Sequence, residues 1–342
     1  MNKDTAHSIP DYRIVINDNN VTSLIQGRLI SLTLKDERGN KADQLDITLD
    51  DSNDQLTLPN KKSVIQVWLG YKEKGFKHQP LIFKGSFTVD EINYSHQNGT
   101  DTLRITARSA DFKGPLKVKR EKSWHNLTLE SIINTIATRH DLKPRISPTL
   151  ATEKIDHIDQ TDESDIAFLN RVAKRFDAIC SIKSGHLLFA EIGKATTVSG
   201  KPLPTLTINK ADCTSYSYQT MDRESDYTGV QSYWNDKKYA RRKTVIAGDG
   251  ENPKILRNTY PSEQQAEQAA KAEWKKLNRE QASMSFDLAV GLPDVLPEMP
   301  VALNGFKKEM KVQFQGIESI EHILTVRDLR SSIKTSTSSL IL

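Results

Sequence analysis

The sequence predicts a mainly β protein with an α+β insert, in which two antiparallel β-barrel-like domains flank a small α+β domain. Segments with alternating apolar and polar residues dominate residues 11–112 and return after residue 205, and this alternation is typical of half-buried strands. Between these regions, apolar residues recur at helical spacing. A chain of 342 residues is also too long for one hydrophobic core, so we expect two or three packed units.

Loops rich in Gly and Pro mark the expected domain boundaries. The predicted segments are an N-terminal β-barrel-like domain at 1–115, an α+β domain with two helices and a hairpin at 116–198, a second β-barrel-like domain at 199–332 with one helix at about 262–279, and a flexible, Ser- and Thr-rich tail at 333–342.

The first domain is predicted to consist of six or so short strands. Asn98-Gly99 is a strong hairpin signal, because both residues tolerate the positive φ of a tight turn. The alternating segments are residues 12–16, 27–34, 45–49, 64–71, 81–89, 92–94 and 102–107.

Two amphipathic helices define the α+β domain. Asn126 or Thr128 can cap the first helix, and Asp162 or Ser164 can cap the second, which runs over about residues 164–177. A hairpin at 178–192, turning at 183–185, should follow them. The predicted buried stripes are Leu129, Ile132, Ile133 and Ile136 in the first helix, and Ile166, Leu169, Val172, Ala173 and Phe176 in the second.

In the last domain, Ser262 is the expected cap of a helix that ends near Arg279. The expected inward face of that helix is Ala266, Ala270, Trp274 and Leu277. The predicted strands are residues 206–208, 215–218, 229–234, 243–246, 283–290, 311–315 and 317–329.

Composition excludes several classes of protein. The net charge of +4 is small for a dedicated nucleic-acid binder. No apolar run is long enough to cross a bilayer, and residues 1–10 do not resemble a signal peptide, so we expect no membrane insertion and a cytoplasmic origin. Cys180 and Cys213 match no metal or redox spacing and should be reduced, inert thiols.

No enzyme motif is recognisable, so we predict that the protein is not an enzyme and has no catalytic, cofactor-binding or metal-binding residues. The acidic run at 156–165 could supply paired carboxylates or bind a cation, but acidic residues before a helix more often stabilise its positive end. The basic stretches at 117–122 and 237–243, near Trp124, Trp234 and Tyr239, could contact nucleic acid or simply be solvated strand edges. The histidines of the middle region lack metal-ligand spacing; they are His125, His140, His157 and His186.

The middle region also carries a family resemblance. Its most specific phrase runs from Gln160 through Glu163-Ser164-Asp165-Ile166-Ala167-Phe168-Leu169-Asn170-Arg171-Val172-Ala173. This phrase resembles the late control gene D family of contractile-tailed phages. The resemblance extends to residues 127–142 before the phrase, the hairpin ending near Phe189 after it, the helix at 262–277, the turn at 291–294 and the strand at 299–301. The phrase is also similar to the hub portion of type VI secretion spike proteins.

The resemblance implies a structural baseplate hub that joins the tail tube to the central spike. The implied homo-oligomer is a trimer whose two barrels per chain give six similar units around a channel, through which DNA and a tape-measure protein could pass. Its localisation would be the virion tail baseplate, assembled in the bacterial host cytoplasm. Because no needle follows the last β region, the spike is expected to be a separate partner. The alternatives are a tail-associated peptidoglycan hydrolase and a nucleic-acid-binding barrel protein.

Overall fold

Short antiparallel strands fill the N-terminal region, as its alternating sequence predicts. The computed structural model describes residues 9–39, 42–72, 80–97, 99–109, 115–183, 185–220, 227–279, 282–310 and 316–336. Leu45, Ile47 and Leu49 are buried and alternate with half-buried residues, because successive side chains of a strand point to opposite faces. The predicted hairpin is confirmed by antiparallel pairing up to the turn, although Asn98 lies outside the described residues. The elements are β1 Pro10–Ile16, β2 Asn19–Asn20, α1 Thr22–Ile25, β3 Leu29–Glu37, β4 Gln44–Asp50, β5 Val64–Tyr71, β6 Ile82–Gln97 and β7 Thr100–Arg108.

The middle region contains both predicted amphipathic helices. The Thr128 hydroxyl accepts a hydrogen bond from the N–H of Ser131 at the start of the first helix, and the Ser164 hydroxyl accepts one from Ala167 at the start of the second. The predicted hairpin forms as well, with Ser184 of its turn outside the described residues. The elements are β8 Lys119–Thr128, α2 Leu129–Arg139, β9 Lys143–Ile146, α3 Pro148–Ala151, β10 Lys154–Ser164, α4 Asp165–Arg175, β11 Ala178–Lys183 and β12 His186–Glu191.

The C-terminal region adds the remaining strands and one long helix. Ser262 caps that helix as predicted, because its hydroxyl accepts a hydrogen bond from the N–H of Gln265 at 3.4 Å. The elements are β13 Leu206–Asn209, β14 Cys213–Thr220, β15 Gly229–Asp236, β16 Arg241–Gly248, β17 Pro253–Tyr260, α5 Glu263–Arg279, β18 Ala282–Leu288, β19 Val301–Asn304, β20 Ile317–Thr325 and β21 Leu329–Ser336. The strand predicted at 311–315 lies outside the described residues.

One large sheet joins the two ends of the chain. Its eleven strands follow the order β14-β18-β21-β20-β3-β4-β7-β6-β5-β1-β2. The central connection is an antiparallel ladder between β3 and β20, which extends from Glu37 opposite Ser319 to Ser31 opposite Thr325. Regions that the sequence assigns to two separate barrel-like domains therefore share one sheet, and no closed barrel is found in the described part of the chain. The sequence does not reveal this pairing, because it depends on strands that are distant in the chain.

In the described part of the chain, four hydrophobic clusters pack around these elements. The largest two lie within the middle region and against the N-terminal half of the large sheet, to which Leu324 and Leu329 also contribute. A third cluster fills the C-terminal half of the sheet. A small fourth cluster forms where α5 covers one face of the three-stranded sheet β16-β15-β17. The mainly β architecture is thus confirmed.

The predicted boundary of the flexible tail, residue 333, is placed too early in the chain. Residues 333–336 belong to β21, which pairs with β18 on one side and β20 on the other. Ile333 and Thr335 are fully buried. A Ser- and Thr-rich composition is typical of a solvated tail. The same hydroxyl side chains also fit in a strand that is paired on both sides, which is where residues 333–336 lie. Residues 337–342 lie outside the described part of the chain.

Two further sequence features have structural counterparts. Cys180 and Cys213 are free, and burial raises the pKa of the Cys180 thiol to about 12, which makes it unreactive. Among the described residues, none of the helices has the length and apolar character required to span a membrane.

Candidate functional site

The acidic run becomes one strand of a two-stranded ribbon, and the first basic stretch becomes its partner. Residues of β10 pair antiparallel with residues of β8, so the two oppositely charged segments face each other. Lys119 Nζ lies 2.7 Å from Asp162 Oδ2, and Lys122 Nζ lies 3.9 Å from the centre of the Trp124 ring. Lys119 and Lys122 therefore have partners within the same ribbon.

Asp165, the last residue of the acidic run, lies at the centre of a buried polar network. Its carboxylate is fully buried. Arg139 Nη1 donates to both carboxylate oxygens at 2.8 Å, and Gln160 Nε2 donates at 2.8 Å. His140 Nε2 lies 2.7 Å from Oδ2, and Arg120 Nε lies 3.3 Å from the same oxygen. The network connects β8, α2, β10 and α4.

The Asp165 carboxylate is held in its ionised form. Burial alone would raise its pKa, but hydrogen bonds from Gln160, His140 and Arg139 and the nearby positive charge outweigh burial, so the pKa lies below its ordinary value. An ionised carboxylate enclosed by donors is a poor general acid or base. The arrangement fixes the relative positions of two helices and two strands, which is an architectural role.

A charged seam connects the middle region to the large sheet. Lys183 at the end of β11 places Nζ 2.6 Å from Asp36 Oδ1 of β3 and 3.1 Å from Asp43 Oδ1, just before β4. Burial and the neighbouring charge of Asp36 raise the pKa of Asp43 to about 7, despite the attraction of Lys183. This seam holds the two regions together through ion pairs with little access to water.

A cavity of about 350 Å³ opens along the same seam. Lys84 lines it and donates to the carbonyl oxygens of Pro293 at 3.0 Å and Val295 at 3.3 Å, and burial lowers the pKa of Lys84. Arg38 lines it too, with Nε 3.4 Å from Glu298 Oε1. Lys84 and Arg38 both contact the loop before β19 from the side of the large sheet. The cavity therefore lies at an interface between two regions of the chain and its charges are already paired.

The second basic stretch forms the tip of the β15–β16 hairpin. Lys243 pairs with Asp236 at 2.5 Å, and the Arg242 guanidinium lies 4.0 Å from the centre of the Tyr233 ring. Tyr239 is exposed. Cations stacked on aromatic rings of their own hairpin are typical of a solvated strand end.

The predicted histidines have different environments. His140 belongs to the Asp165 network, and His186 begins β12. His125 and His157 lie directly opposite each other across the ribbon, and their ring centres are 4.5 Å apart. No sequence motif marks this pair, because 32 residues separate its members and only strand register brings them together. In the described part of the chain, no group of three or more His, Cys, Asp or Glu side chains is placed to hold a metal ion.

The two ends of the large sheet are open edges. At one end, β14 pairs with β18 and has no second neighbour among the described strands, and residues 213–220 contain no charged side chain. At the other end, β1 is covered by the two-residue strand β2. Natural proteins usually protect such edges with charges, prolines or bulges, so an uncharged eight-residue edge is well suited to pairing with another strand.

Comparison with known proteins identifies the family. The family model described as phage tail baseplate hub (GPD) matches residues 42–326. The chain belongs to the phage tail baseplate hub family. The resemblance of the middle region to the late control gene D family is thereby confirmed.

Individual relatives agree with this family. A probable baseplate hub protein of Escherichia phage P2 is 37% identical, and the alignment covers 95% of this chain and 92% of the relative. A tail protein from Neisseria meningitidis MC58 has the same fold, with a TM-score of 0.66 at 13% identity over 96% of each chain. A type VI secretion component of Escherichia coli, with structural similarity to phage T4 tail proteins, matches at a TM-score of 0.55 and 11% identity over 92% of this chain and 74% of that one.

Proposed function

We propose that this hub-family chain is a structural component of a contractile-tail baseplate that joins the tail tube to the central spike. The proposal places it in the virion tail baseplate after assembly in the bacterial host cytoplasm, with no catalytic role. The P2 relative is named a probable baseplate hub protein, and membership of the same family supports the same role here.

The proposed assembly is a cyclic trimer. The observation that carries this proposal is the single eleven-stranded sheet with an uncharged edge at β14 and a short-strand edge at β1 and β2. Two different edges that pair between neighbours make a head-to-tail contact, which must either close into a ring or grow into a filament. A ring of three subunits, each contributing two halves of its large sheet, would present six similar units to a six-fold tube. The three-fold symmetry of the same ring would match a three-fold spike.

The ring would enclose a channel for DNA and a tape-measure protein. A net charge of +4 on 342 residues suits passage without retention better than a strongly basic surface does. The two halves of the large sheet have separate hydrophobic clusters, so each half can serve as one barrel-like unit of the ring.

Light scattering with and without the candidate spike protein tests the trimer. Because the contact can be weak until a trimeric spike aligns the subunits, we expect a complex whose mass equals three hub chains plus the bound spike. A stable two-fold dimer that persists after the spike is added would contradict the proposal, as would hydrolysis of peptidoglycan by the purified chain.

An edge variant tests the mode of contact. Ser217 and Gln219 are exposed residues of β14, and replacing both with Lys adds the charge that normally blocks an edge. The double variant should keep the wild-type circular dichroism spectrum and fail to form the trimer. Asn93→Lys with Gln97→Lys is the control for added charge alone, since both residues are exposed in the part of β6 that pairs with β7, away from the β14 edge. Equal assembly of the two double variants would exclude the β14 edge from the interface.

A further inference from the structure

A pair of imidazole rings lies on the exposed face of the β8–β10 ribbon. His125 and His157 are directly opposite in the register, and their Nδ1 atoms are 3.0 Å apart. Directly opposite residues of an antiparallel pair project from the same face. Strand pairing therefore fixes two nitrogen donors next to each other on a surface that water and ions can reach.

Asp159 determines which nitrogen of His157 carries the hydrogen. Its Oδ2 lies 3.0 Å from His157 Nε2, and its Oδ1 accepts a hydrogen bond from the Ser123 hydroxyl at 2.5 Å. A carboxylate that accepts from Nε2–H leaves the lone pair on Nδ1. In the absence of metal, the Nδ1–H of His125 can donate to that lone pair.

We propose that His125 and His157 bind one divalent transition-metal ion through their Nδ1 atoms, with Zn²⁺ as the reference ion and Asp159 as the group that orients His157. Imidazole nitrogen is a preferred ligand of Zn²⁺, Cu²⁺ and Ni²⁺. A histidine that binds a metal usually donates its other ring N–H to a carboxylate, which is the arrangement of His157 and Asp159.

The spacing of the two Nδ1 atoms is close to that of two ligands on one metal ion. Zn–N bonds of about 2.0–2.1 Å in a tetrahedral site separate two ligand nitrogens by roughly 3.3 Å. The observed Nδ1–Nδ1 separation of 3.0 Å differs from this value by only a few tenths of an ångström. The two rings, whose planes are 24° apart, must also turn until both lone pairs point at the metal. Metal binding would displace the hydrogen that His125 shares with His157. With two protein donors, the site would be completed by water molecules.

This inference is independent of the proposed hub function and revises the sequence-based expectation that no residue binds metal. That expectation rested on short-range spacing, whereas these donors are brought together by pairing between strands.

Calorimetric titration of the untagged full chain with Zn²⁺ tests the site. We expect one saturable ion per chain in the wild type and loss of that binding in His125→Gln and in His157→Gln. Asp159→Asn should weaken binding by about 10- to 100-fold, the usual effect of removing a carboxylate behind a metal-bound histidine. Binding should also weaken on acidification, because only an unprotonated imidazole nitrogen can bind the metal.

His96→Gln is the matched control. His96 is also an exposed histidine beside a carboxylate, with Nδ1 2.7 Å from Asp101 Oδ1, but this Nδ1 atom faces the carboxylate and not a second imidazole. The variant should bind Zn²⁺ like the wild type. No saturable Zn²⁺ binding by the wild type, or unchanged affinity in His125→Gln or His157→Gln with native circular dichroism, would overturn the proposal.

Discussion

Replacing Asp165 with Asn should destabilise the protein more than any exposed acidic substitution nearby. The substitution keeps the shape of the side chain but removes the charge that Arg139, Arg120 and His140 surround. Breaking a buried ion pair typically costs about 3–5 kcal/mol. The arginine side chains here are 24% and 35% exposed, so water can recover part of their solvation, and we expect a loss of about 2–3 kcal/mol in the free energy of unfolding.

Differential scanning calorimetry at pH 7 measures this effect. At roughly 2–4 °C per kcal/mol, the melting temperature should fall by about 4–12 °C. Asp162→Asn is the matched control, because Asp162 belongs to the same acidic run, three residues before Asp165 in the chain, but lies in β10 and makes its ion pair with Lys119 at the surface, where both side chains are more than 60% exposed. That variant should melt at the wild-type temperature within experimental error.

The pH dependence gives a second check on Asp165. A carboxylate whose folded-state pKa is lowered contributes stability above its unfolded-state pKa of about 3.9 and loses it as the pH falls through the folded-state value. The difference between wild type and Asp165→Asn should therefore stay constant from pH 7 to about pH 4 and shrink below that range. The same melting temperature for the Asp165 and Asp162 variants at pH 7 would refute the assigned network.

Three further outcomes are expected. Leu169→Ala should lower the free energy of unfolding by about 2–5 kcal/mol, because Leu169 is fully buried in α4. Lys174→Ala, on the exposed face of the same helix, should leave the melting temperature unchanged. Equal, negligible effects of the two substitutions would mean that the helix register is wrong. The pKa of folded Asp43 is raised to about 7, above the unfolded-state value of about 3.9, so the wild type loses stability as the pH rises between these two values. In denaturant titrations, Asp43→Asn should therefore gain stability relative to the wild type from about pH 4 to about pH 7, and a constant difference would contradict the raised pKa. A chain ended after Ser336 should fold normally, while one ended after Ser332 loses half of β21 and should melt earlier; identical melting curves would show that residues 333–336 do not stabilise the sheet.

Local elements of this protein follow directly from its sequence. Thr128 and Ser164 cap the two middle helices because a hydroxyl before an apolar stripe satisfies the free N–H groups of the first turn. The stripe through Leu169 and the alternation in β4 fix which side chains are buried, since helix and strand periodicities alone determine which residues share a face. The phrase beginning at Gln160 is also enough to indicate the baseplate hub family to which the chain belongs.

Tertiary structure determined how these elements combine. The pairing of β3 with β20 joins two regions whose sequences are typical of separate domains. The strand β21 includes residues whose composition is typical of a flexible tail. His125 and His157 meet, and Lys183 reaches Asp36, across long stretches of intervening chain. Strand pairing relies on backbone hydrogen bonds, which nearly any residue can make. Partner and register are therefore set by the packing of the whole molecule, and the sequence of either strand alone does not specify them.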